Sequence, residues 1–131
     1  MIGIVVVSHG RLAEELVNAA KTIVGEIPAI AAVSIGWSSD MDAAREAIGR
    51  ALSEVGSEGA LILTDMFGGT PTNVSLSFLA PGIEIVTGVN LPMLIKLSTR
   101  RVGALAEVAR AMREQARESI VVASELLEKQ A

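Results

Sequence analysis

One histidine occurs in this chain, His9, and it follows the apolar run Ile2–Val7 and Ser8 directly. An ordinary imidazole is largely neutral near pH 7, and its free nitrogen is a good nucleophile toward phosphorus. Such a ring needs a partner that holds it and fixes its tautomer, and a carboxylate does this in many sites. Asp65 is the candidate partner, standing just past a second apolar run, Leu61–Leu63, within LILTDMFGGTPTN at residues 61–73. Gly68 and Gly69 form a turn in which backbone can approach a bound group. Thr70 is then expected at a helix N-cap, with Pro71 at the first helical position, where its missing N–H costs nothing. A helix N-terminus behind two glycines presents free N–H groups and a positive dipole end, which suit an oxyanion such as phosphate. An imidazole, a carboxylate and an anion cradle together point to chemistry on a phosphoryl group, and no metal or cofactor is required for it.

These residues need elements to hold them. Ile2–Val7, Ala29–Ile35, Ala60–Thr64 and Ile83–Thr87 read as buried strands. Between them run helical patterns: Leu12, Leu16, Ala19, Ala20 and Ile23 in the first, ending near Gly25; Ala44, Ile48, Ala51, Leu52 and Val55 in the second, capped by Ser39 or Asp40. A third helix follows Thr70 with Val74 and Phe78 four apart, and stops before Pro81–Gly82. A helical stretch begins near Leu91, and Ala104–Arg117 forms a longer helix with Leu105, Val108, Ala109 and Met112 inward. Alternating strands and helices predict an α/β fold: a mainly parallel four-stranded sheet flanked by helices. In such sheets ligands sit beyond the carboxyl ends of the strands, where His9, Trp37, Asp65 and Gly88–Asn90 all fall. Ser119–Val122 is a short β-prone segment, expected at a sheet edge or paired with another subunit. The tail Ser124–Ala131 is polar and compatible with helix.

Composition narrows the function. The chain has 131 residues, enough for one domain with a real core. Half of it is hydrophobic and almost all of that is aliphatic, as suits a parallel sheet covered by helices. A net charge of −4 and an aromatic content of 2% argue against nucleic acid as a partner. No cysteine occurs, which excludes disulfides, a thiol nucleophile and cysteine-based zinc, and one histidine excludes a histidine-rich metal site. The N-terminal apolar run is too short for a signal or membrane segment, so a cytoplasmic protein is expected. Arg110, Arg113 and Arg117 read as a solvated helix face, and Trp37 as a half-buried loop residue.

Three stretches resemble the IIA component of the mannose/fructose/sorbose-type bacterial sugar phosphotransferase system. They are Ser8-His9-Gly10 after the first strand, Leu63–Asn73 with its Asp-Met-Phe-Gly-Gly-Thr-Pro core, and Gly88-Val89-Asn90-Leu91-Pro92-Met93-Leu94. The likeness runs in order to about residue 122 and implies a single IIA domain over 1–131, with 123–131 a C-terminal tail. It implies that His9 takes a phosphoryl group on Nε2 from the phosphocarrier protein HPr, while Asp65 contacts Nδ1. Thr70, with the amides of the Gly68–Gly69 turn, matches the position that hydrogen-bonds the phosphohistidine. The phosphoryl group then passes to a IIB component, which serves sugar uptake through the membrane permease IIC/IID. Many relatives fuse IIA to IIB, whereas this sequence carries no second domain, so a separate IIB protein is expected. The family fold adds a fifth, antiparallel strand exchanged between the subunits of a homodimer, and the Ser119–Val122 segment fits it.

Two other readings use the same residues. A regulatory module would present a phosphorylated or unphosphorylated His9 to a partner protein. A phosphatase with a phosphohistidine intermediate would need a second general acid, and none stands out. A related family serving dihydroxyacetone kinase shares the Ser-His pattern but lacks the Asp-x-Phe/Trp-Gly-Gly-Thr/Ser-Pro segment.

Overall fold

All four expected apolar runs are strands in the computed structural model, which describes residues 1–37 and 40–130. They are β1 (Gly3–His9), β2 (Ile30–Ile35), β3 (Ala60–Thr64) and β4 (Ile83–Thr87). The sheet order is β2-β1-β3-β4 and every pair is parallel. Among the described residues six helices connect or follow them: α1 (Leu12–Val24), α2 (Met41–Val55), α3 (Gly69–Leu76), α4 (Leu91–Leu97), α5 (Leu105–Glu118) and α6 (Ala123–Gln130). Alternation along β1 divides the core between the two faces of the sheet. Ile4 and Val6 pack with α1, α4 and α5 through Val17, Leu94, Leu97 and Met112. Val5 and Val7 face the other way, onto α2 and α3 through Ala44, Ile48 and Val74. No helix among the described residues is long and apolar enough to cross a membrane.

The helices match their expected faces in α2 and α5, where Ala44, Ile48 and Ala51, and Val108, Ala109 and Met112, are buried. Asp40 is the cap of α2, accepting a hydrogen bond from the Ala43 N–H at 2.6 Å; Ser39, the alternative, lies outside the described residues. In α1 the buried face is only partly the expected one, with Ala20 buried and Leu16 packed against the core as expected. Ala13, Val17 and Ala20 point inward, while Leu12 and Ile23 are exposed. The cause lies one turn back: the buried Ser8 hydroxyl accepts the Ala13 N–H at 2.6 Å and draws that residue onto the end of β1.

One further expectation is corrected, and another is not met within the single chain. Helix α3 starts at Gly69, with Gly68 rather than Thr70 at the cap, because Gly68 (φ 86°) and Gly69 (φ 78°) turn the chain in the left-handed region before Thr70 is reached. The segment Ser119–Val122 forms no strand: Ser119 closes α5, and Ile120, Val121 and Val122 run exposed into α6. A strand exists only with a neighbour to bond, and this stretch finds none in its own chain. The tail after it is helical, as α6.

At the amino ends of the strands sits Arg101, which is 4% exposed. Its guanidinium donates to the Ile2 carbonyl at 3.0 and 2.7 Å, to the Ala29 carbonyl at 2.8 Å, and to the Pro28 carbonyl. Burial lowers its pKa from the ordinary value. Nothing in the sequence pattern marks this residue as the clamp between the starts of β1 and β2.

Candidate active site

His9 is the last residue of β1, and Asp65 is the first residue beyond β3. The two strands are neighbours in register, with Val7 opposite Thr64, so the sheet itself brings imidazole and carboxylate together. The His9 backbone N–H donates to Asp65 Oδ2 at 2.9 Å, and Nδ1 of the ring lies 2.8 Å from the same oxygen. Asp65 Oδ1 accepts the Met66 N–H at 3.0 Å. A carboxylate oxygen only accepts, so the proton between Asp65 and the ring belongs to Nδ1. Nε2 then carries the free lone pair. The pair is partly shielded, with side-chain exposures of 25% for His9 and 11% for Asp65.

The Nε2 edge of the ring faces the glycine turn. A Cβ added to Gly69 would stand 2.9 Å from His9 Cε1 and 3.0 Å from Nε2, so only glycine lets the start of α3 lie this close. Gly68 caps that helix, and Thr70 is its second residue, half-buried. His9 thus meets two of the expected residues, Asp65 through hydrogen bonds and Gly69 through the close approach of its backbone to the ring, with Gly68 and Thr70 flanking Gly69 along the chain. The first N–H groups of a helix have no intrahelical partner, and the helix dipole adds positive potential there. A lone pair against a helix start is an arrangement suited to receiving a phosphoryl group.

Three supporting contacts were not legible in the pattern. The Trp37 indole stacks on His9, ring centroids 5.3 Å apart and planes at 22°. Trp37 is 83% exposed, not half-buried as expected. Behind Asp65, the buried Thr72 hydroxyl donates to the Met66 carbonyl at 2.5 Å and lies 2.8 Å from the Thr64 hydroxyl, tying the loop 65–69 to β3 and α3. Asn90, in the third motif, is a structural residue. It caps α4 by accepting the Met93 N–H at 3.1 Å and donates to the Ala116 carbonyl at 3.2 Å. Among the described residues no group of three or more His, Cys, Asp or Glu is arranged to hold a metal ion.

Known proteins are similar to this chain in sequence and fold over nearly its full length. The family described as "PTS system fructose IIA component" (EIIA-man) matches residues 3–115. The "PTS system fructose-specific EIIA component" of Bacillus subtilis (strain 168) is 33% identical, over 98% of this chain and 91% of that protein. The solved mannose/sorbose-specific IIA subunit from Enterococcus faecalis superposes with a TM-score of 0.86 at 29% identity, covering 92% of this chain and 93% of that one. The EIIA component from Streptococcus agalactiae superposes equally, TM-score 0.86 at 27% identity, over 95% and 99%. A family match over residues 3–115 and 33% identity over nearly the whole chain mean that the chain belongs to the mannose-type IIA family of the sugar phosphotransferase system.

Proposed function

We propose that the protein is a cytoplasmic phosphoryl carrier, one IIA domain with a C-terminal tail at 123–131, taking phosphate from phospho-HPr on His9 and passing it to a IIB partner for sugar uptake. The observation that carries this reading is the 2.8 Å contact between His9 Nδ1 and Asp65, which leaves Nε2 free against the Gly69 backbone. In the transfer, the Nε2 lone pair attacks phosphorus and a P–N bond forms. The bond from phosphorus to the donor breaks, and its electron pair leaves with the donor. Nδ1 keeps its proton, and Asp65 offsets the positive charge that the ring gains. Gly68, Gly69 and Thr70 hold the phosphoryl oxygens through the first amides of α3 and the Thr70 hydroxyl. Transfer onward runs the same step in reverse with the IIB acceptor. Leu12, Trp37, Met41, Met66 and Phe67 are exposed on the segments that leave or follow the strand ends, an apolar rim suited to transient protein docking.

The carrier is a homodimer in this reading. Beside β4, an edge strand of the sheet, runs a groove of about 430 Å³ lined by Leu76, Leu79, Ile85, Val86, Ala106 and Ala109. The exposed apolar segment Ile120–Val122 of a second copy supplies the missing antiparallel strand there. Removing residues 119–131 is expected to leave a monomer in sedimentation, and a full-length chain that sediments as a monomer at micromolar concentration overturns the exchange.

Phosphorylation by radiolabelled phosphoenolpyruvate with purified enzyme I and HPr tests the carrier role. Acid-labile label on the wild type and none on His9→Ala is the expected result. Label persisting on His9→Ala, or an unlabelled wild type beside a labelled control IIA protein, sinks the assignment.

A further inference from the structure

The stack of Trp37 on His9 has a use that docking alone does not account for. An indole that is 83% exposed gains little from burial, yet it is held in an offset stack on a ring that is itself partly exposed. No other stacked aromatic pair occurs among the described residues. The charge of the imidazole changes during the proposed reaction. With a proton kept on Nδ1 and phosphorus bonded to Nε2, the ring becomes a cation. Indole presents the best cation-binding face among side chains, effective within about 6 Å of the ring centroid. The 5.3 Å separation lies inside that reach.

We propose, resting on the carrier reading above, that Trp37 is a positioning residue that sets how tightly His9 holds its phosphoryl group, its indole face favouring the phosphorylated, cationic ring over the neutral one. Asp65 acts on that cation in the ring plane at Nδ1, and Trp37 acts across the ring face. Removing the indole face therefore moves the phosphoryl group back toward the donor.

A tryptophan that only docked a partner protein would change how fast label is exchanged in both directions. It would leave the equilibrium between free donor and free acceptor where it was. The test is the equilibrium ratio of label on HPr and on this protein after enzyme I has been removed, for wild type, Trp37→Phe and Trp37→Leu. Leucine keeps apolar cover without a π face, and phenylalanine keeps a weaker one. The expected loss of the His9-bound share is about 2- to 5-fold for leucine and less for phenylalanine. A leucine variant with the wild-type ratio overturns the proposal while leaving the carrier reading intact, even if its exchange is slow. A wild type that takes no label from phospho-HPr overturns both. The stack can also be read without any phosphoryl donor, because Trp37 is the one tryptophan and the chain has no tyrosine. Its emission is expected to change in His9→Ala, and unchanged emission overturns the stack itself.

Discussion

The two ends of the sheet each hold a basic side chain, and they engage it to different degrees. At the amino ends Arg101 is buried and its guanidinium is taken up by the carbonyls of Ile2, Pro28 and Ala29. At the carboxyl ends His9 has one nitrogen fixed by Asp65 and the other against glycine backbone only. A buried guanidinium that gives four of its five N–H groups to backbone carbonyls holds strands together and has little left for a ligand. A ring fixed on one side and uncommitted on the other is ready to react. Burial of charge therefore marks structure at one end, and incomplete engagement leaves the other end open to the proposed chemistry.

Substitutions can break this contrast. Asp65→Asn keeps the shape beside His9 but removes the negative charge and leaves one acceptor oxygen where the carboxylate offers two, one to His9 and one to the Met66 N–H. Phosphoryl acceptance is expected to slow by about 10²- to 10⁴-fold without being abolished, and wild-type rates in rapid-quench labelling would remove Asp65 from the site. Arg101→Met attacks the other end. It leaves buried carbonyls without their donor, at a cost of about 3 kcal/mol or more, read as a lower urea midpoint with an unchanged slope. Labelling of the folded fraction should stay at the wild-type rate, and a loss there would mean that the two ends are coupled. Gly69→Ala sharpens the contrast, because its φ of 78° and the 2.9 Å approach to His9 Cε1 both oppose a Cβ. Stability should fall by about 1 kcal/mol and phosphoryl acceptance by about tenfold. An unaffected rate would show that the ring does not need the glycine turn so close.

The juxtaposition of His9 and Asp65 was largely legible in the sequence, and the Arg101 clamp was not. Apolar runs that stop at His9 and just before Asp65 announce strands, and parallel neighbours then bring their carboxyl ends together. The Asp-Met-Phe-Gly-Gly-Thr-Pro segment spells its own turn. By contrast, Arg101 is a single basic residue in a loop, and no periodicity distinguishes it from a solvated one. The Trp37 stack depends on how the turn after β2 leans over β1, which local pattern does not specify. The α1 face departs from its pattern at Leu12 and Ile23, which are apolar at helical spacing yet exposed, while Ala13 and Val17 join Ala20 in the buried contact. Ile120–Val122 has β propensity, and propensity without a hydrogen-bonding neighbour leaves it as coil.

The spacing of His9 and Asp65 is set between the two central strands, with Val7 opposite Thr64, and neither residue sits on an edge. Thermal fraying works inward from edges, so amides of β2 and β4 should exchange with solvent deuterium before those of β1 and β3. A partly opened molecule can thus lose an outer strand and still keep His9 beside Asp65. Heating should abolish phosphoryl acceptance at the global melting transition and not ahead of it.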